Sequence, residues 1–223
     1  MIPFCHVILL LRGEMREGAT GFRHPAPSRP KMVQTHHFQI CIQEYFNRGK
    51  DNLFPDLYGC PNPLCCYEGR LRRHGFYSRN VLSLMGTYII FIQRYYCPYC
   101  KRTTSLLPSF LVSRFQYSIS CIIFAFFQLT VCRVSFAAIA KKINLNSRRS
   151  EMSYQHISFY RKRLLQNRPM ITGYLGARGV VWAEQEPALW LKDFVCTVCR
   201  QITVNEFNLQ HFYFQGRHFM SKP

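Results

Sequence analysis

The sequence predicts an α+β protein: a small β module closed by paired cysteines, then a helical unit, then a small C-terminal segment of mixed character. Three observations predict it. Cysteine pairs at 60/65 and 97/100 flank a run dense in β-branched and aromatic residues. After Pro108 that pattern gives way to apolar residues at helical spacing. The excess of positive charge collects in the same stretch, with 17 basic and 2 acidic residues between Cys60 and Met170, a net +15 out of +18 for the chain.

Residues 1–35 are expected to be a flexible lead, because residues 12–32 mix Gly, Pro and charge without periodicity. Met32 is a candidate alternative start. A first domain is expected over 36–116. It opens on a short helix or strand between His36 and Phe46 and crosses a loop marked by Pro55, Pro61 and Pro63. The segments Val81 to Leu84 and Thr87 to Tyr96 then read as a hairpin with Gly86 in the turn.

Three helices are expected over 117–168. The first is Ile119 to Cys132, interrupted by Gln128. It has about 14 residues, short of the roughly 20 that span a bilayer, so it reads as a core helix. The second is capped by Ser135, with Phe136, Ile139, Ala140 and Ile143 at i, i+3, i+4 and i+7. The third is capped by Ser153, carries Ile157, Tyr160 and Leu164 as its apolar stripe, and is expected to stop at Pro169. Residues 169–223 form the C-terminal segment.

Eleven cysteines suit a secreted disulfide framework, but the apolar run Val7 to Leu11 has no Lys or Arg before it and no small-residue cleavage site close behind. A cytoplasmic, nucleoid-associated location is therefore expected, where paired cysteines are more often metal ligands. Zn2+ takes four ligands tetrahedrally, and Cys60-x4-Cys65 with Cys97-Pro98-Tyr99-Cys100 supplies two pairs on either side of a hairpin, the layout of a zinc ribbon. Cys66 adjoins Cys65, and either can provide the second thiolate. Cys196, Cys199, His211 and His218 form a second candidate metal set, although six residues between the histidines exceed the usual three to five.

A net +15 attracts polyanions. A supporting and a recognition helix would make a helix-turn-helix unit, with Gln155, Ser158 and Lys162 opposite the apolar stripe and Arg163 beside them. The connection from Asn144 to Met152 is longer than the usual compact turn. Arg72, Arg73 and Arg79 on the hairpin, interleaved with Phe76 and Tyr77, add candidate DNA contacts that also suit a single strand.

Residues 60–118, above all Arg73-His74-Gly75-Phe76-Tyr77, the pair Cys97/Cys100, Arg102-Thr103-Thr104-Ser105 and Leu107-Pro108, resemble the zinc-ribbon segment of bacterial transposase-related proteins. The likeness extends more weakly to about residue 168. In that family a zinc ribbon runs directly into a helix-turn-helix. The resemblance implies Cys60, Cys65, Cys97 and Cys100 as ligands, double-stranded DNA as partner, and a separate catalytic subunit as a further candidate partner. The x4 spacing and Cys66 depart from the family pattern. No catalysis in cis is expected: the aspartates are Asp51, Asp56 and Asp193, about 55 residues follow the third helix, and no Gly-rich phosphate loop is present. Two other readings remain, a zinc-ribbon adaptor for an acidic protein and an RNA-binding module.

Overall fold

The structure, a computed structural model, describes residues 32–145, 152–182, 186–201, 204–215 and 218–220. Its first lobe is a four-stranded sheet. The strands are β1 (Met32–His36), β2 (Arg72–Ser83), β3 (Gly86–Tyr96) and β4 (Thr103–Pro108), in the order β1-β4-β3-β2. The β2–β3 and β3–β4 pairs are antiparallel, and β1 runs parallel to β4. Met32–His36 thus belongs to the sheet and, up to Thr35, corrects the expectation of a flexible lead. Short helix α1 (Ile42–Arg48) lies beside β3, and Tyr45 on it is fully buried, its hydroxyl donating to Phe91 O at 2.9 Å.

Tyr88, Ile90, Ile92 and Tyr95 alternate or nearly alternate inward along β3 and meet Phe38, Tyr45, Phe54 and Phe110. The hairpin turns one residue earlier than expected, through Leu84–Met85, with Gly86 already paired to Ser83. Gly86 has φ 142°, which no side-chain-bearing residue adopts cheaply. The β2–β3 register slips between Arg73 and Phe76, where Gly75 takes φ 65°. Buried Gln93 donates to Gly75 O at 3.0 Å, so the carbonyl freed by the bulge is satisfied from β3.

The second lobe is helical: α2 (Ile119–Thr130), α3 (Phe136–Asn144), α4 (Tyr154–Gln166), α5 (Arg168–Gly176), α6 (Pro187–Gln201) and α7 (Val204–Gln215). Helix α2 is apolar on most sides because α3, α4, α6 and α7 surround it. Gln128, which interrupts its apolar run, is buried and accepts from Lys142 Nζ at 3.1 Å, tying α2 to α3. Ser135 and Ser153 cap α3 and α4 as expected, and His156 completes a reciprocal capping box with Ser153. The long α3–α4 connection is pinched at its base, where the Asn144 side chain donates to Met152 O at 2.9 Å and accepts from Met152 N at 2.7 Å. Residues 146–151 lie outside the described residues.

Two expectations fail here. Pro169 does not end the third helix; that helix closes at Asn167, and Pro169 sits in the first turn of α5, where its missing N–H costs nothing. The C-terminal segment is helical among the described residues, and its boundary at 168/169 crosses one continuous core. Ile139, Ile157, Leu164, Tyr174, Trp190, Phe194 and Phe207 belong to a single buried cluster with Ile122 and Phe126.

Candidate metal centre and basic surface

The four expected cysteines converge. Their sulfurs lie within 4.8 Å of one another, with Cys60 Sγ 3.6 Å from Cys100 Sγ and Cys65 Sγ 3.9 Å from Cys97 Sγ. Four thiolates about 2.3 Å from a tetrahedral ion stand about 3.8 Å apart, so these separations bracket the value an ion requires. Cys65 supplies the second sulfur, and neighbouring Cys66 is exposed and outside the cluster.

Two tight turns bring the pairs together. At the first, Cys60 N donates to Tyr67 O at 2.8 Å and Cys65 N to Asn62 O at 2.9 Å. At the second, Cys97 N donates to Arg102 O at 2.9 Å and Lys101 N to Cys97 O at 3.0 Å, with Lys101 at φ 59°. The hairpin returns the second turn beside the first, which is why ligands 32 and 40 positions apart in sequence meet.

The sulfurs also face donors suited to thiolates. Backbone amides of Asn62, Tyr67 and Arg102 address Cys60, Cys65 and Cys100, and the Asn62 side chain addresses Cys100. Burial pushes the Cys60 thiol up to about 12, and neighbouring sulfurs add to the rise. Burial raises Cys65 as well. Burial also pushes on Cys100, but the Arg102 amide, the adjacent thiols and Asn62 outweigh it and bring that group to about 7. The cluster thus shares its protons unevenly, and a bound cation would displace them. Asn62 is buried and contributes to both cysteine turns. Sequence reasoning missed it, although an Asn between two prolines at the centre of a cysteine turn was the available signal.

The other expected metal set does not assemble. Among the described residues, Cys60, Cys65, Cys97 and Cys100 are the one group of three or more metal-ligating side chains that come together, and Cys196, Cys199, His211 and His218 do not. Cys199 is exposed on α6, whereas His211 and His218 are buried elsewhere. His218 lies 3.3 Å from Thr35 Oγ1 and 3.1 Å from Asn208 Oδ1. Burial, then His211 and Arg79, hold it down at about 3, so its ring is neutral.

The candidate nucleic-acid contacts divide. Gln155, Ser158 and Lys162 are exposed on one face of α4, opposite buried Ile157, Tyr160 and Leu164. Arg163 flanks that face, its guanidinium 5.3 Å from the Phe159 ring centroid. Arg72 is exposed. Arg73 is half-exposed and donates to Phe54 O at 2.9 Å while pairing with Asp56. Arg79 corrects the expectation: its guanidinium turns inward and donates to the Val112 and Phe115 carbonyls, stitching β2 to the segment leading into α2. Burial lowers its pKa.

The molecule is thus a mixed α+β protein with a four-cysteine centre able to hold a metal ion. The family described as a domain of unknown function (DUF6431) matches residues 60–139, beginning at the first cysteine, including all four, and ending within α3. No curated protein and no solved structure matches the chain. Among the described residues, no helix is long and apolar enough to cross a membrane.

Proposed function

We propose that the protein is a zinc-dependent binder of duplex DNA, in which the ribbon is a structural element and α4 the reading element, and that it belongs to a transposition system or to a regulator derived from one. The observation that carries the metal half is the pair of sulfur separations, 3.6 and 3.9 Å, with amides aimed at the sulfurs. Four thiolates close the shell of a tetrahedral ion and leave no position for a reacting water, which favours structural Zn2+ over a catalytic metal. The DNA half rests on the exposed polar face of α4 and on the net +15 carried by residues 60–170.

Three measurements test the reading on the full chain. Elemental analysis of protein from zinc-replete cells should find one equivalent of zinc, and less than half an equivalent sinks the metal assignment. Duplex affinity should fall roughly a thousandfold or more between 50 and 200 mM salt if about six phosphates are contacted. Gln155→Ala should relax preference at one base pair of a selected site, a loss of about 1–3 kcal/mol in discrimination, while random-duplex affinity changes little. Identical site selection by both proteins would remove α4 as the reader. A single-strand reading draws on exposed Tyr58 and Tyr99 near the cysteine turns, with Arg72 and His74 on β2, and predicts preference for unpaired strands.

A further inference from the structure

A cavity of about 560 Å³ opens between the α2–α3 turn, α4 and the start of α6, well away from the cysteine centre in sequence. Its size falls within the range of small-molecule sites, about 300–1,000 Å³. Leu129 and Leu191 form part of its apolar wall, and Arg133, Arg161 and Lys192 bring three cations from three different elements. Glu186 on the same lining leaves a net +2. None of the three cations makes an ion pair with a described carboxylate, whereas Arg70 and Arg73 of the sheet lobe share Asp56. Convergent cations over an apolar wall, with no ion pair among the described residues, match a ligand with an anionic head and an apolar body.

Two further observations point the same way. Arg133 sits at φ 55° in the α2–α3 turn, a conformation that glycine would occupy with less strain. That turn places the Arg133 guanidinium on the cavity lining. Arg161 follows Ile157 by four residues, about 40° around the helix, so it borders the core side of α4. Ser158 stands about 60° further round than Arg161, with Lys162 and Gln155 beyond it, so the cavity adjoins one edge of the polar face of α4 and does not include its centre.

We propose that this cavity binds a small organic anion, a phosphate monoester or carboxylate carrying an apolar group. The inference rests on the cavity alone and stands whether or not α4 reads DNA. Its test is titration of the metal-loaded full chain with phenyl phosphate, benzoate and inorganic phosphate, followed by calorimetry and amide NMR. Saturable 1:1 binding of phenyl phosphate, at least tenfold tighter than inorganic phosphate, is expected. Arg161→Gln and Lys192→Gln should each weaken it tenfold or more, while Arg72→Gln leaves it unchanged. Benzoate within tenfold of phenyl phosphate assigns a general anionic head, and a larger gap assigns a phosphate monoester. Both Arg161→Gln and Lys192→Gln alter partly or fully exposed positions, so loss of fold in one leaves the other to decide. Inorganic phosphate binding as tightly as phenyl phosphate, or no saturable binding, overturns the proposal. So does competitive displacement by duplex DNA, which would make the three cations a backbone-phosphate surface instead.

Discussion

The sheet lobe and the helical lobe are held together by different means. In the sheet lobe the elements are short, residues 52–71 cross it with almost no regular structure, and the core depends on aromatic rings whose hydroxyls tie to backbone. Tyr45 donates to Phe91 O and ties α1 to β3, while Tyr95 donates to Pro55 O and anchors the irregular segment to β3. The helical lobe buries a larger and more aliphatic cluster around α2 and needs no cross-link to do so. The four cysteines that could hold a metal ion sit in the lobe with the smaller buried cluster, where an ion would add most to stability.

Removing the ion should give the largest effect. Apparent binding energies for structural zinc are on the order of 10–16 kcal/mol in small modules. Chelation, or Cys97→Ser, should abolish amide-exchange protection in β2 and β3 while α2 and α6 keep theirs. Equal protection loss in both lobes would show one cooperative unit, and no loss would show that the aromatic core suffices.

Ile157→Ala reverses the comparison. It removes a fully buried side chain between α4 and α2 and should cost about 2–5 kcal/mol, with metal stoichiometry unchanged. Denaturant unfolding with parallel zinc analysis checks this, and loss of zinc in the folded variant would show that the lobes are not energetically distinct.

Acid should act at the seam. His218 is held at about 3 against an ordinary 6.5, so the unfolded chain binds the extra proton between those values. Its contribution to stability is complete above pH 6.5 and is lost as pH falls toward 3, by up to about 1.4 kcal/mol per pH unit. Stability of wild type and His218→Gln, measured at several pH values, should differ in slope across that window. Parallel curves would contradict a buried neutral ring.

The smallest effect is expected at Asn208. Its side chain donates to Ser109 O at 2.7 Å and Leu111 O at 2.9 Å and accepts from or faces His218, so it links α7 to the exit of β4. Asn208→Ala leaves buried carbonyls unsatisfied and should cost about 1–3 kcal/mol. Calorimetry should then resolve two transitions in place of one. A single unbroken transition would mean that the lobes are joined chiefly elsewhere, through Arg79 and the Leu82–Ser118 backbone contact.

The expected helices over 117–168 are visible in the sequence because their signals are local. Ser135 and Ser153 act within one turn, and Ile157, Tyr160 and Leu164 mark one face by spacing alone. Most of the metal centre was legible for a related reason: Cys97 and Cys100 share a tight turn, and the intervening β-rich run predicts a hairpin that brings Cys60 back. Arg79 was misread because its exposure depends on Val112 and Phe115, whose carbonyls draw the guanidinium inward from more than thirty positions away. The tail histidines failed similarly, since their spacing suggested a ligand pair while His218 bonds to residues on α7 and β1.

By itself, then, the sequence determined which thiols could meet a metal, where the first three helices of the helical lobe begin, and that the excess charge gathers between Cys60 and Met170. Each of these follows from chemistry or periodicity acting over a turn or a hairpin. Tertiary structure decided that Cys65 and not Cys66 joins the cluster, that Met32–His36 completes the sheet, and that α6 and α7 close the core around α2. Those outcomes depend on which distant surface remains to be buried once the local elements have formed. That competition for burial is settled between residues as far apart as Thr35 and His218, and no local pattern records it.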